Sequence, residues 1–255
     1  MNTRNALSVA PSPALDPIDS TYAGSAQHDA IVYPWEAASV SLLSATANAN
    51  SFAYQFTKRV FDIVVSALLL GLFLPLGVAI ALLIKLTSRG PAFYCEERVG
   101  RMRVPFRIVK FRSMYIARPS SKVFDISAAL GINRCADRSR KQAHNPRITP
   151  VGRWLRRMSL DELPQLWNVL LGNMSLVGPR PIVESERHFY GRYLPFYDLL
   201  LPGITGLWQV SGRSDVEYER RVLLDTEYAS RWSCLLDLKI LARTIPVVVT
   251  MRGAY

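Results

Sequence analysis

The sequence predicts an α+β fold that is mostly helical, with a membrane-inserted helix near the N-terminus. Three features support this fold class: an uncharged apolar segment at residues 63–84, two strand-like segments around Gly100, and helical patterns that continue to residue 250. The apolar segment has 22 residues, and roughly 20 are enough to cross a bilayer as a helix. We expect the part that follows to form a small cytoplasmic domain with a short β-hairpin and interfacial amphipathic helices.

The sequence divides into three predicted parts: a disordered polar tail at 1–55, a re-entrant membrane helix at 56–89, and a cytoplasmic domain at 90–255. The tail is rich in Ala, Ser, Pro and Asn, and its start lacks the basic and apolar regions of a secretory signal. The three cysteines and three histidines are scattered along the chain. This scatter argues against a disulfide framework, a zinc site and a Ser-His-Asp triad.

Charge is distributed unevenly along the 255 residues. The chain has 31 basic and 20 acidic residues and a net charge of +11. Residues 1–57 contain one arginine and four acids, a net charge of −3, which leaves +14 for the remainder. A domain this cationic is expected to bind anions, whether nucleic acid, phosphorylated small molecules or anionic lipid.

Positive residues lie on both sides of the apolar segment, with Lys58 and Arg59 before it and Lys85 and Arg89 after it. Because positive residues normally mark the cytoplasmic side, we expect both ends to lie there. Pro75 removes a hydrogen bond near the middle, and each half is about half as long as the bilayer core is thick. A re-entrant helix that bends at Pro75 accounts for both features. The alternatives are a kinked spanning helix and a buried core helix.

Two strands are predicted on either side of Gly100, within residues 91–114. In the second strand, the period of two places Phe106, Ile108, Lys110 and Arg112 on one face. A long loop with short helical pieces is expected at residues 115–150. Helices are predicted at residues 151–158, 160–171, 182–200 and 215–231, with a final apolar helix at 234–250 that touches the membrane.

Two carboxylates, Asp161 and Glu162, stand side by side at a predicted helix start. One interpretation is structural, because Ser159 and Glu162 fit a capping box and the helix dipole favours acids in a first turn. The other is functional, because eight basic residues and one acid lie between Arg134 and Arg157. A cap does not need these cations, whereas a site for phosphates does. In such a field we expect Asp161 to stay ionised, as a nucleophile or a ligand of a divalent cation.

A second motif is Gly178-Pro179-Arg180-Pro181. Two prolines fix the backbone around one arginine, which lowers the entropy cost of presenting its guanidinium to a phosphate. The structural alternative is a surface turn with an exposed arginine. The glycine-rich loop at residues 202–213 also ends in an arginine, Arg213, although many loops share that pattern.

Together these motifs resemble the bacterial sugar transferase family, the monotopic phosphoglycosyltransferases. The resemblance covers roughly residues 55–255, and the chain looks closest to short members that start exopolysaccharide synthesis by adding galactose or glucose phosphate. The matching segments are KRVFD at 58–62, KFRSM at 110–114, SLDELPQLWNVLLGNMSLVGPRP at 159–181, PGITGLWQVSGR at 202–213 and LDLKI at 236–240.

The resemblance implies an enzyme of the bacterial inner membrane with its catalytic domain on the cytoplasmic face. A UDP-sugar would give its sugar-1-phosphate to undecaprenyl phosphate, with release of UMP and a requirement for Mg²⁺. Asp161 would be the nucleophile that forms a covalent phosphosugar intermediate. Glu162 would bind the metal, and Asp161 is a further candidate ligand. The candidate substrate-binding residues are Lys110, Arg112, Arg156 and Arg180, followed by Arg98 and Arg213.

The chain also departs from the family pattern. Leu74-Pro75 stands where the family often has Ser-Pro, and a polar tail replaces the upstream membrane helices of larger relatives. Membrane lipid is an expected partner and a homodimer is left open. Nucleic acid is not an expected partner, because a tethered nucleic-acid-binding module would not explain Asp161, Glu162 or Arg180. A non-catalytic scaffold for polysaccharide assembly is the other alternative, and no residue selects galactose over glucose.

Overall fold

A computed structural model describes residues 51–116, 147–213 and 216–250 of the chain. Nearly all of the predicted polar tail lies outside the described residues, as does most of the predicted loop at 115–150. The described part is mostly helical, with two small two-stranded sheets. The predicted fold class is therefore confirmed at the level of a helical protein with a β-hairpin and one long apolar helix.

The predicted membrane segment forms one long helix, α1 (Phe52–Thr87). Within the described residues it is the one helix long and apolar enough, by length and composition, to cross a membrane. Pro75 lies inside α1 and does not divide it into two helices. The helix is thus continuous through Pro75, and the bend expected there stays a prediction. One lost bond at a proline is tolerated because an apolar environment makes every other unpaired backbone group costly.

The beginning of α1 is fixed by a buried ion network. The Lys58 ammonium lies 3.2 Å from the Asp62 carboxylate and 2.8 Å from that of Asp237, and all three side chains are buried. Asp62 also accepts a 3.2 Å hydrogen bond from the backbone N–H of Leu176, and Asp237 accepts one of 2.7 Å from the Tyr228 hydroxyl. These bonds join α1 to two segments more than a hundred residues away.

The end of α1 packs on the hairpin. Ile80 and Ile84 are buried and form a cluster with Phe111 and Leu155. The Arg112 guanidinium donates hydrogen bonds to the carbonyl groups just after the helix, at Ser88 (2.8 Å) and Arg89 (2.5 Å). Both ends of the helix are thus attached to the domain that follows it.

The hairpin consists of β1 (Phe93–Val99) and β2 (Pro105–Phe111), paired antiparallel as predicted. Gly100 begins the connection, where an added Cβ would lie 2.7 Å from the carbonyl oxygen of Val104. The predicted period of two holds at Phe106 and Ile108, which are buried. Arg112 is buried as well, and so is Phe111 where it packs against α1, so both faces of the strand are covered at its end.

The remaining elements confirm some predicted helices and divide others. Helices α2 (Pro150–Arg157), α6 (Tyr218–Arg231) and α7 (Cys234–Val249) match the predictions at 151–158, 215–231 and 234–250 within a few residues. A single helix at 160–171 is wrong, because a turn at Leu163 and Pro164 separates a 3₁₀ turn (Leu160–Glu162) from α3 (Gln165–Leu171). A single helix at 182–200 is also wrong, because Gly191 interrupts it with a φ of 45°. The elements are α2 (Pro150–Arg157), a 3₁₀ turn (Leu160–Glu162), α3 (Gln165–Leu171), β3 (Ser175–Val177), a 3₁₀ helix (Glu184–Tyr193), α4 (Leu194–Leu199), β4 (Gly203–Thr205), α5 (Leu207–Val210), α6 (Tyr218–Arg231) and α7 (Cys234–Val249).

The main hydrophobic core lies between α1, β2, α3, β3 and the last two helices. Strands β3 and β4 pair in parallel, Ser175 with Gly203 and Val177 with Thr205, a feature that the sequence did not reveal. Tyr228 of α6 and Ile240 of α7 are almost fully buried against β3 and its surroundings. This core places the segments that follow β3 and β4 next to each other.

The ion network predicts that Lys58→Met strongly destabilises the protein. The substitution leaves the carboxylates of Asp62 and Asp237 buried and unpaired, which costs on the order of 3–5 kcal/mol. The free energy of unfolding in detergent micelles measures this loss. Lys85→Met is the matched control, because Lys85 lies at the other end of α1 and is exposed. Equal losses in the two variants would contradict the network's role.

Candidate functional site

The acidic pair lies in the 3₁₀ turn Leu160–Glu162, between α2 and α3, and both carboxylates are half-buried. The capping box expected for Ser159 does not form. Ser159 has left-handed backbone angles and its side chain makes no capping bond. Its hydroxyl instead accepts a 2.7 Å hydrogen bond from the Arg213 guanidinium. The structural interpretation of the pair as a helix cap is therefore wrong.

Glu162 is held by cations from three separate elements. The Lys110 ammonium, from β2, lies 3.3 Å from a Glu162 carboxylate oxygen. Burial by itself would raise the pKa of Glu162, but the positive charges of Lys110, Arg180 and Arg213 outweigh it, so the pKa is lowered. Glu162 is therefore a firmly ionised carboxylate at neutral pH.

Asp161 has the opposite balance. Burial, followed by repulsion from Glu162, raises its pKa to about 6, although Lys110 and Arg156 act against the shift. At pH 7 the ionised form is still in roughly tenfold excess. The expectation that the cations keep Asp161 ionised thus holds at neutral pH, but burial and its neighbour outweigh them as the pH falls. Two adjacent acids with separated pKa values are suited to different roles.

Four of the six predicted substrate-binding residues act electrostatically on the acidic pair: Lys110, Arg156, Arg180 and Arg213. Arg156 also donates a 2.9 Å hydrogen bond from Nε to the Ser113 hydroxyl, which fixes its direction. Charges from β2, α2 and two loops therefore converge on one turn of the chain.

The other two predicted residues have different partners. Arg112 is buried and its terminal nitrogens bond to Ser88 and Arg89 at the end of α1, so its guanidinium serves the helix end. Arg98 pairs with Glu96 and donates a 3.4 Å hydrogen bond to the carbonyl oxygen of Pro181. Arg98 thus stabilises the proline-flanked loop through the backbone of Pro181.

The proline-flanked loop is held by backbone contacts that only glycine permits. Gly178 donates to the carbonyl oxygen of Thr205 (2.9 Å), and Gly203 donates to that of Pro179 (2.8 Å). An added Cβ on Gly203 would lie 2.1 Å from the Gly178 nitrogen. The N–H of Arg180 points to the Asp225 carboxylate at 3.4 Å. The loop that carries Arg180 therefore has a fixed backbone.

Sequence reasoning missed three residues beside Arg180. The guanidinium carbon of Arg180 lies 5.3 Å from the ring centre of Trp208, and that of Arg221 lies 5.0 Å from it. Asp225 is buried, accepts a 2.8 Å hydrogen bond from the Tyr190 hydroxyl, and has a pKa raised to about 7 by burial. Trp208 belongs to the glycine-rich loop already noted, whereas no sequence signal marked Arg221 or Asp225 within their helix.

The donor set of the pair suits a hard divalent cation. The structure describes no group of three or more His, Cys, Asp or Glu side chains that could hold a metal ion. Mg²⁺ is commonly bound by one or two carboxylates with waters and substrate phosphates as its other ligands. Asp161 and Glu162 therefore fit a magnesium site that substrate helps to complete.

Two half-buried acids lie among converging cations in a domain joined to a long apolar helix, an arrangement that suits the binding of anionic groups. Comparison with known sequences makes the class specific. The model of the bacterial sugar transferase family matches residues 53–251. The chain belongs to this family.

Curated relatives have similar sequences over most of this chain. A UDP-galactose-lipid carrier transferase of Erwinia amylovora is 43% identical over 219 residues, 85% of this chain and 45% of that protein. Exopolysaccharide production protein ExoY of Rhizobium meliloti is 42% identical over 200 residues, 78% of this chain and 88% of that protein. An undecaprenyl-phosphate galactose phosphotransferase of Salmonella typhimurium is 45% identical over 218 residues, 85% of this chain and 45% of that protein. The chain thus spans about half the length of the Erwinia and Salmonella relatives.

Proposed function

We propose that the protein transfers the sugar-1-phosphate of a UDP-sugar to undecaprenyl phosphate, releases UMP, and so starts assembly of an exopolysaccharide repeat unit. The observation that carries this proposal is the acidic pair, because Asp161 and Glu162 have separated pKa values within one cationic site. The names of the relatives support the substrates, including galactose or glucose as the sugar. The proposed location is the cytoplasmic face of the inner membrane.

In the first step, a carboxylate oxygen of Asp161 attacks the phosphorus attached to the sugar. A bond forms between that oxygen and phosphorus, and the bond from phosphorus to the bridging oxygen breaks. The electron pair stays on the bridging oxygen, which leaves as part of UMP. No proton is transferred, so the attack requires only that Asp161 be ionised.

In the second step, a phosphate oxygen of undecaprenyl phosphate attacks the same phosphorus. The new bond completes the polyprenyl diphosphate sugar, and the bond to Asp161 breaks with its electron pair returning to the carboxylate. The protein is then in its original state. Because each half has one anion attacking another, both halves share the need to offset repulsion.

The surrounding cations supply that offset. Lys110 and Arg156 act on Asp161, while Arg180 and Arg213 act on Glu162. A diphosphate that reaches Asp161 therefore lies among four positive side chains held by separate elements. Such fixed charges stabilise the transition state without reorganising during the reaction.

Magnesium is the proposed cofactor, held by Glu162 with Asp161 as a second ligand. When bound, it would supply further positive charge to the phosphate oxygens. Glu162 suits this role better than Asp161, because its pKa is lowered and its carboxylate stays ionised. Its partner Lys110, at 3.3 Å, would orient the carboxylate and share its charge.

We also propose that α1 is re-entrant, with both ends on the cytoplasmic side. The beginning of α1 bonds to β3 and α7 through Lys58 and Asp62, and its end packs on the hairpin at Ile84. If α1 crossed the bilayer, one folded domain would have to reach both faces. This arrangement supports entry and exit on the same side.

Exposed apolar side chains on several short helices support contact with membrane lipid. Such residues are favoured where one face of a helix lies in the bilayer interface, and tryptophan is enriched there. A domain lying on this surface would meet undecaprenyl phosphate at the level of its phosphate. The residues are Trp154, Trp167, Leu171, Leu235 and Leu238.

The nucleophile assignment predicts that Asp161→Asn abolishes UMP release. The amide cannot attack phosphorus, so the rate is expected to fall by about a thousandfold or more. The rate is measured as UMP released from UDP-galactose and from UDP-glucose by the detergent-purified protein. Asp198→Asn is the matched control, because Asp198 pairs with Arg103 outside the site. Normal UMP release by the Asp161 variant would refute the assignment.

The raised pKa of Asp161 predicts an acid limb in the pH profile. Only the ionised form attacks, so kcat/KM for the UDP-sugar should rise about tenfold per pH unit below about 6 and level off above it. For a two-step exchange this constant reports the first half-reaction. Lys110→Met should move the limb to higher pH, because Lys110 lowers the Asp161 pKa; Lys239→Met, at an exposed position, should not. A limb unmoved in the Lys110 variant would count against this account.

The re-entrant topology predicts that both ends of α1 are reached from one side. Ser51→Cys and Arg89→Cys, each in a background without native cysteines, place a single thiol at each exposed end. A membrane-impermeant maleimide should label both thiols in inside-out vesicles and neither in intact spheroplasts. Labelling of the two positions from opposite sides would show a spanning helix.

A further inference from the structure

Two guanidiniums share one tryptophan ring next to the acidic pair. Arg180 and Arg221 both stack on Trp208, at 5.3 Å and 5.0 Å from its centre, and the indole is only 5% exposed. Each cation is attracted to the ring, but the two repel each other. Burial, followed by the charge of Arg180, lowers the pKa of Arg221. A protein gains nothing in stability from this repulsion unless an anion relieves it.

The donors in this cluster lack acceptors. Nε of Arg221 donates to the carbonyl oxygen of Val216 at 2.9 Å, but its terminal nitrogens have no acceptor among the described residues. The Arg180 guanidinium also has no hydrogen-bond acceptor among the residues that the structure describes. The buried indole N–H of Trp208 is likewise unpaired there. Buried polar groups usually find partners, and the Trp208 N–H has none in that part of the chain. The half-buried guanidiniums of Arg180 and Arg221 have no described protein acceptor beside it, so the cluster offers several donors to an anionic ligand.

Other arginines of the fold donate hydrogen bonds from their terminal nitrogens to backbone carbonyl groups. Arg59 donates to the backbone carbonyl groups of Val169 and Leu170, at 2.5 Å and 2.7 Å. The terminal nitrogens of Arg112 are paired in the same way just after α1, although its Nε is buried without a partner among the described residues. Arg180 and Arg221 differ from these two arginines because their terminal nitrogens have no protein acceptor in the described part of the chain.

Two carboxylates, Glu186 and Asp225, act electrostatically on Arg221, but neither forms an ion pair with a guanidinium of this cluster among the described residues. The Oδ2 atom of Asp225 already accepts from the Arg180 backbone N–H and the Tyr190 hydroxyl. Its pKa of about 7 leaves the group only partly charged at neutral pH. Within the described part of the chain, neither guanidinium is therefore neutralised by a direct ion pair, and Asp225 serves mainly to fix the backbone of Arg180.

We propose that Arg221, together with Arg180 and Trp208, binds the phosphate that leaves with the nucleotide. This inference rests on the proposed function. Arg180 shares the Trp208 ring with Arg221 and also acts electrostatically on Glu162, so it is a neighbour of both the acidic pair and Arg221. A diphosphate with its sugar-linked phosphorus at Asp161 extends past Arg180 toward Arg221. When the bridging bond breaks, the electron pair adds negative charge to that phosphate, where the two guanidiniums stabilise it.

The test is direct binding of UMP to full-length protein in lipid nanodiscs, without sugar donor or lipid acceptor. Arg221→Gln should weaken UMP binding by about tenfold or more, measured by isothermal titration calorimetry, because one charge-assisted phosphate contact is lost. Binding of uridine, which lacks the phosphate, should not change. Arg192→Gln is the matched control: Arg192 stacks on Tyr193 at 5.2 Å, is exposed, and lies outside the cluster. It should bind UMP as the unmodified protein does.

Kinetics give a second readout that a structural role would not produce. Arg221→Gln should raise KM for the UDP-sugar and leave KM for undecaprenyl phosphate unchanged. Arg221→Lys keeps the charge but not the planar guanidinium. Its KM for the UDP-sugar should lie between the values for the unmodified protein and for Arg221→Gln. Unchanged UMP affinity in Arg221→Gln, or equal loss of UMP and uridine binding, would overturn the inference. If UMP binding follows this pattern while Asp161→Asn stays active, the phosphate site stands and the nucleophile assignment alone fails.

Discussion

Repulsion between Asp161 and Glu162 is the constraint on which the site depends. The two carboxylates are adjacent in the chain and half-buried in a 3₁₀ turn. Such a pair is stable only if cations surround it, and β2, α2 and two glycine-containing loops each supply one. The outcome is asymmetric, because Lys110 at 3.3 Å holds Glu162 ionised while the pKa of Asp161 rises to about 6. One acid is thereby suited to bind a cation and the other to attack.

The rest of the fold serves to bring these cations together. The hairpin carries Lys110 to the turn, and Arg112, two residues further on, bonds to the carbonyl groups of Ser88 and Arg89 just after α1. The parallel pairing of β3 with β4 brings the Arg180 loop beside α5, which carries Trp208. Attachment of both ends of α1 to this domain would keep the site at the height of the bilayer surface. An acceptor embedded in lipid and a donor dissolved in water could then meet at one phosphorus.

Local patterns in the sequence predicted much of this fold. The pairings between segments distant in sequence could not be predicted from such patterns. The apolar segment, the hairpin around Gly100 and the last two helices follow from periodicity alone. The prediction of one helix over 160–171 failed because Leu163 and Pro164 form a turn between the 3₁₀ turn and α3. The capping box failed because the Ser159 hydroxyl bonds to Arg213, which is distant in sequence. Arg112 and Arg180 both belong to motifs that the sequence singles out. Only contacts between distant segments show that the Arg112 guanidinium bonds to backbone carbonyl groups, whereas that of Arg180 has no protein acceptor among the described residues. Strands of three residues, such as β3, carry no period to detect.

The central claim is that Asp161 becomes covalently joined to the sugar phosphate. The most direct measurement mixes the full-length protein with UDP-galactose or UDP-glucose in the absence of undecaprenyl phosphate, quenches it rapidly, and weighs the intact chain by mass spectrometry. The account predicts the added mass of one hexose phosphate, located on the peptide that contains Asp161 and removed when undecaprenyl phosphate is added. Complete turnover with both substrates, but no adduct at any quench time, would contradict it.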